Sequence, residues 1–157
     1  MQKTNALRIL DKCGIEYKTY YKELNEAVDG VTLAGIFNLD VCSTYKTLVT
    51  VGKSKNHYVF MIPVAESLDL KKAASIVDEK SVEMIPSKEL LPTVGYVHGG
   101  CSPIGMKKKL VTVIQTGFDR FDKIVFSGAK IGLLVEIKSN NLGRILDYKI
   151  GDVIRNE

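Results

Sequence analysis

The chain has 157 residues, 45% of them hydrophobic and 25% charged, with four prolines and no low-complexity tract; this suits one folded domain over residues 1–157 and excludes a disordered arm or interdomain linker. No apolar run approaches the roughly 18 residues that span a bilayer, and the opening MQKTNALRIL lacks the apolar stretch of a secretion signal, so a cytoplasmic protein with no membrane partner is expected. With 22 Lys and Arg against 18 Asp and Glu, the formal charge of +4 permits an anionic partner without the dense basic stripe of a dedicated nucleic-acid binder.

Ala6, Leu10 and Cys13 recur at helical spacing after Thr4, which predicts a helix capped by Thr4 and closed at Gly14, with Cys13 in its core. IEYKTYY, rich in β-branched and aromatic residues, predicts a strand, and DGVTLAGIFN a short helix with Asp29 as its cap. YKTLVTV and HYVFMIPV, joined by the turn-forming GKSKN, predict an antiparallel hairpin whose second strand is apolar enough for the middle of a sheet. LDLKKAASIV returns to helical period, with Leu70, Ala73, Ala74 and Val77 on one face.

SVEM predicts a short strand and PSKELL a helix of a turn or two. Beyond a glycine-rich loop, LVTVIQT, KIVFSGA and GLLVEI predict strands and SNNLGRILDY a closing helix. Strands outnumber helices and do not alternate with them, so the expected fold is α+β, a mixed and largely antiparallel sheet flanked by helices.

The loop itself, GYVHGGCSPIG over residues 95–105, carries four glycines beside a histidine and a cysteine. It matches neither GxGxxG nor GxxxxGK[ST], which excludes a dinucleotide or P-loop site. Gly99 and Gly100 leave consecutive N–H groups unobstructed, able to converge on a carbonyl oxygen, a hydroxyl or a phosphate; the alternative is a plain glycine turn. Pro103 stiffens the exit and restricts Ser102 before it. His98 and Cys101 offer a second candidate, a thiol activated by an imidazole, with no acidic residue nearby to orient the ring.

Lys46 alternates onto one strand face with Leu48 and Thr50, opposite Tyr45, Thr47 and Val49. If that face is the core side, its ammonium either snorkels to solvent or meets a negative or carbonyl group in a cleft, the latter requiring another element to bring a loop to that end of the sheet. Cys13, Cys42 and Cys101 lack zinc-ligand spacing and read as free thiols; no metal or organic cofactor is expected. The tight basic run is Lys107, Lys108 and Lys109, directly after the loop.

YKTLV, IPV followed by LDLKKAA, GYVHGGCSPIG followed by KK, and FSGAKIGL recur in an order that resembles the YbaK/EbsC-type aminoacyl-tRNA deacylases along nearly the whole chain. These are free-standing relatives of the editing domain inserted in bacterial prolyl-tRNA synthetases. The resemblance implies hydrolysis, in trans, of cysteine mischarged on proline tRNA. Cysteine and proline are close in size, so a synthetic pocket that accepts one rejects the other poorly and a second site must discriminate.

By the same resemblance Lys46 is the residue most associated with activity, and the Gly99–Pro103 loop, with Cys101 and Ser102, lies over the reacting ester. The substrate's own thiol attacks that ester and leaves as a cyclic thiolactone, so Cys101 is a bystander in the chemistry. Lys46 supplies positive charge, while the Gly99 and Gly100 amides hold the carbonyl or a ribose hydroxyl. Tyr20 and Val28 form pocket walls, with Ser127 and Gly128 near ribose and ester. Leu134 departs from the pattern, standing where some relatives carry a polar or acidic residue.

The implied partners are the acceptor end of mischarged proline tRNA and, transiently, prolyl-tRNA synthetase, with the chain itself a monomer. Three rivals stay open: a hydrolase built on Cys101 and His98, a deacylase of another mischarged tRNA such as Ala-tRNA(Pro), and a non-catalytic module that binds tRNA or a synthetase.

Overall fold

The computed structural model describes residues 2–156. Helix α1 (Asn5–Lys12) begins where Thr4 Oγ1 accepts a hydrogen bond from the Leu7 N–H, and the chain turns away at Gly14 with φ +67°. Strand β1 (Lys18–Tyr21) precedes α2 (Gly30–Ile36), which Asp29 caps by accepting from the Thr32 N–H. The hairpin β2 (Tyr45–Gly52) and β3 (His57–Pro63) leads to α3 (Leu70–Ile76), β4 (Val82–Met84) and α4 (Ser87–Val94). After the glycine loop come β5 (Val111–Gln115), β6 (Lys123–Lys130), β7 (Leu133–Lys138) and β8 (Lys149–Gly151).

The fold is α+β, with its strands divided between two sheets. One has five strands in the order β4-β2-β3-β5-β8, the other three in the order β1-β7-β6. The larger is mixed, since β2 runs antiparallel to β3 and β4 while β5 lies parallel to both β3 and β8. The smaller is antiparallel throughout.

Apolar packing explains the layering. Ala6, Leu7 and Leu10 of α1 enter a core with Tyr45, Met61 and Ile114 of the larger sheet and Phe126, Leu133 and Val135 of the smaller, so the two sheets share one interior. On the other face of the larger sheet, Phe60, Ile62 and Val113 pack against Ala73, Ala74 and Val77 at α3. Strand β3 is therefore covered on both sides, which is why its sequence is almost uninterruptedly apolar.

Two stretches differ from the sequence reading. SNNLGRILDY forms only a 3-10 helix over Ser139–Arg144 before the chain leaves for β8; two asparagines and a glycine give that stretch little helix propensity, and the strand after it is too short to signal itself. Helix α4 continues past PSKELL through Pro92 to Val94 and closes on Gly95 at φ +87°. Among the described residues no helix is long and apolar enough to cross a membrane.

Candidate active site

Lys46 is the second residue of β2, and its strand neighbours fix where it points. It pairs across the hairpin with Ile62, and alternation puts it on the face of Leu48, Phe60 and Ile62 rather than on that of Val49 and Val59. At this end of the sheet the cover is local. The Val64 N–H donates to the Thr44 carbonyl, the Glu66 N–H donates to the Pro63 carbonyl, and Gly30 fits so tightly under Val64 that a Cβ would fall 2.5 Å from Val64 Cγ1. Half-burial here lowers the Lys46 pKa below the ordinary lysine value, while the carboxylates of Glu66 and Asp29 pull it back up. The ammonium thus faces the N-terminus of α2, with no ion pair among the described residues.

The glycine loop reaches the same segment from the other side. Gly99 takes φ +83° and lies against Ala27, where a Cβ on it would stand 2.4 Å from Ala27 Cβ; a Cβ on Gly100 would stand 3.1 Å from the Ile131 N. Both glycines are thus demanded by the close approach of loop to neighbours. Residues 27–30 touch the loop at one end and face Lys46 at the other. The segment 27–30 is thus the element that joins the loop, at Ala27, to the Val64 end of the hairpin, at Gly30.

The amide cradle expected at Gly99 and Gly100 is only half present. The Gly100 N–H donates to the Val97 carbonyl at 3.0 Å, closing a turn, and so is committed. The Gly99 and Cys101 N–H groups have no acceptor among the described residues, and Gly99 is exposed. The side chains that follow turn inward. Cys101 is 8% exposed, among Val49, Val59, Leu90, Val94 and Tyr96, and burial pushes its thiol up to about 12. Ser102 is fully buried, its Oγ accepting from the Ile104 N–H, and Pro103 is buried at a cavity of about 440 Å³ shared with Ile9, Cys13 and Arg144, away from Lys46. Of the Gly99–Pro103 stretch expected to lie over the ester, Gly99 is exposed while Gly100, Cys101, Ser102 and Pro103 are buried. His98 is exposed while Cys101 is buried, so the two form no dyad.

Tyr20 and Val28 do come together, in an apolar cluster with Leu33, Phe37, Val125 and Leu134. Tyr20 pairs with Leu134 across β1 and β7 and its ring lies 5.6 Å from that of Phe37. At position 134 the wall is therefore plain hydrocarbon. Ser127 and Gly128 belong to a bulge where the β6–β7 register shifts between Ser127 and Lys130. There Ala129 adopts φ +77°, its N–H donates to Ser127 Oγ at 3.2 Å, and Thr4 Oγ1 donates to the Gly128 carbonyl at 2.6 Å. A non-glycine residue at positive φ is strain that the surrounding contacts must hold, and the Lys130–Ile131 backbone beside it is what Gly100 packs on.

Thr47 was not among the residues picked out by sequence. Its Oγ1 is buried and unpaired among the described residues, on the β2 face of Tyr45 and Val49, the face on which Cys101 packs. Only the position beside Lys46 hinted at it, because an unsatisfied hydroxyl shows in packing and not in sequence. The lysine run after the loop is partly engaged: Lys109 pairs with Asp147, and Lys107 Nζ donates to the Pro92 carbonyl.

Apart from Tyr20, this arrangement of a half-buried lysine, an exposed glycine amide and an apolar wall is set within residues matched by a known family model. The model for the aminoacyl-tRNA editing domain matches residues 25–145. The chain belongs to the aminoacyl-tRNA editing domain family. A protein of Enterococcus faecalis named "Putative Cys-tRNA(Pro)/Cys-tRNA(Cys) deacylase EbsC" is 33% identical over 157 residues, 99% of this chain and 96% of that one, which makes the member one of the YbaK/EbsC type. Among solved structures, "a putative trans-editing enzyme for prolyl tRNA synthetase" superposes with a TM-score of 0.83 at 19% identity, covering 99% of this chain and 100% of its own. A hypothetical protein matches at TM-score 0.84 and 17% identity, over 97% and 100% of the two chains. At those identities the superpositions speak for the fold alone.

Proposed function

We propose that this editing-domain protein is a trans-editing hydrolase that removes cysteine from mischarged Cys-tRNA(Pro), with the substrate's own thiol as nucleophile. Family membership supplies the reaction class, aminoacyl-tRNA deacylation. The observation that carries the mechanism is Cys101. Its sulfur is buried in an apolar cluster with its thiol held protonated, and among the described residues no histidine or carboxylate is hydrogen-bonded to the Ser127 or Thr47 hydroxyl. Near Lys46 the Thr32 hydroxyl does donate to the Asp29 carboxylate, but that pair caps α2; with Cys101 buried, the reactive sulfur is taken to be the substrate's.

In this reading the ester lies between Lys46 and Gly99. The cysteinyl sulfur attacks its carbonyl carbon, and the carbonyl oxygen becomes an oxyanion that the Lys46 ammonium and the free Gly99 N–H stabilise. Collapse breaks the bond to the ribose oxygen, which takes up the proton lost by the thiol, and the amino acid departs as a thiolactone that water then opens. The enzyme's share is to fold the short cysteinyl chain back on its own ester and to hold charge in place. The Tyr20, Val28 and Leu134 cluster would give a small side chain an apolar surface to lie on.

The E. faecalis relative's name spans two cysteinyl-tRNAs, which favours a site that reads the amino acid and leaves the choice of tRNA to a transient complex with prolyl-tRNA synthetase. We take the working unit to be a single-domain monomer that meets the tRNA through its acceptor end. The deciding experiment is deacylation across a panel of charged tRNAs with product identification. Cysteinyl esters should be cleaved while alanyl and seryl esters survive; cleavage of Ala-tRNA(Pro) at the same rate would mean that water attacks and would overturn the substrate-assisted mechanism.

A further inference from the structure

The rim beside the glycine loop carries a feature that the ester chemistry does not use. Tyr21, at the end of edge strand β1, is 38% exposed, and Lys130 holds its ammonium 4.8 Å from the centre of that ring. The next residue, Lys22, is exposed and donates its N–H to the Gly132 carbonyl at 3.1 Å. Neither lysine is paired with a carboxylate among the described residues. The same 130–132 segment is what Gly100 rests on. Tyr21, Lys22 and Lys130 thus stand one contact away from the loop proposed to cover the ester.

An exposed tyrosine with one unpaired cation over its ring and a second next to it in the chain is the combination that holds single-stranded nucleic acid: a base stacks on the ring, and the cations meet the backbone. The nucleotides joined to the reacting ester are the unpaired 3′ end of the tRNA. We infer that Tyr21, Lys130 and Lys22 form a stacking platform for the unpaired nucleotides immediately upstream of the terminal adenosine. This rests on the deacylase reading of the site. A base that stacks on Tyr21 displaces the Lys130 ammonium from the ring toward the adjoining phosphate, so one side chain serves free and bound states alike. The lysine run at 107–109 is the weaker candidate, since two of its members are already engaged.

The test uses the full chain and two substrates, cysteinyl-tRNA and cysteinyl-adenosine, which lacks the upstream nucleotides. Tyr21→Ala and Lys130→Ala should each raise KM for the tRNA about tenfold and leave cysteinyl-adenosine unaffected, with Tyr21→Phe restoring wild-type kinetics. Equal losses on both substrates, or none on either, would overturn the platform. A binding measurement stands apart from catalysis: anisotropy of a labelled single-stranded oligonucleotide ending in CCA should show affinity about tenfold weaker for Tyr21→Ala and a shallower salt dependence for Lys130→Ala. Unchanged binding in both variants sinks the inference even if the wild type is an active deacylase. If the wild type cleaves no aminoacyl-tRNA but binds the oligonucleotide through Tyr21, the deacylase reading fails and the platform stands.

Discussion

Gly99 and Ala27 lie in such close contact that no side chain fits between them: a Cβ on Gly99 would stand 2.4 Å from Ala27 Cβ. The obstructing atom is bound directly to the backbone of the segment that also carries Asp29 toward Lys46, so it has no freedom to swing aside. Gly99→Ala should therefore push loop and segment apart. The positive φ alone costs about 1–2 kcal/mol in an alanine, and the displacement adds to it. Urea unfolding should register the loss of stability, and deacylation should fall further than stability accounts for. Adding Ala27→Gly relieves the clash but not the φ, so the double variant should recover only part of both. Full activity in Gly99→Ala would remove the loop from the site.

Cys101 should be dispensable for catalysis and noticed in folding. Its neighbours Val49, Val59, Leu90 and Val94 offer no hydrogen-bond partner, and the Tyr96 hydroxyl in the same cluster already donates to the Ile104 carbonyl. Cys101→Ser places a hydroxyl among them at a cost of about 1–3 kcal/mol, whereas Cys101→Ala loses only a small apolar group. Both should deacylate at the wild-type rate at a temperature where they are folded. Alkylation followed by peptide mass analysis offers a second check: exposed Cys42 should react in the native protein, and Cys101 only after denaturant is added. Loss of turnover in the alanine variant would restore a protein nucleophile.

Lys46 makes opposite predictions for stability and for rate. Burial depresses its folded pKa, so between that value and the unfolded value of 10.5 the unfolded chain binds more protons and stability rises with pH. At neutral pH the ammonium is then a cost to the fold. Lys46→Met should raise the Tm, by about 2 °C, while lowering kcat by roughly 10²–10³ as the oxyanion loses its cation. In the wild type, rate should decline on the alkaline side at a pH below 10.5, and Lys46→Arg should lack that decline because a guanidinium keeps its proton. A Lys46→Met variant that is destabilised yet active would reverse the assignment.

The fold was legible wherever local chemistry decided it. Thr4 and Asp29 announced two helix starts, and the hairpin was written in two apolar strands around GKSKN. The division of strands into two sheets was not legible, because it depends on which distant strands pair: the bridge between Thr44 and Val125 and the pairing of Tyr20 with Leu134 link residues far apart in sequence. The site followed the same rule. Residue types in the loop suggested an amide cradle, but the Gly100 N–H is taken by Val97, and the conformation that does so cannot be read from GYVHGGCSPIG. That Cys101 faces inward while His98 faces out is likewise a matter of loop shape.

Thr47 is the residue that only packing could reveal. A buried hydroxyl without a partner costs about 1–3 kcal/mol, and replacing it with an isosteric apolar group is neutral or stabilising. Thr47→Val should consequently raise the urea midpoint. If the hydroxyl is kept for the substrate, gaining its partner from the bound ester or ribose, the same change should lower kcat/KM about tenfold, with Thr47→Ser close to wild type. The two readouts separate the explanations. A more stable variant with lower activity places Thr47 against the substrate, whereas one that is more stable and fully active leaves its hydroxyl a packing defect of β2.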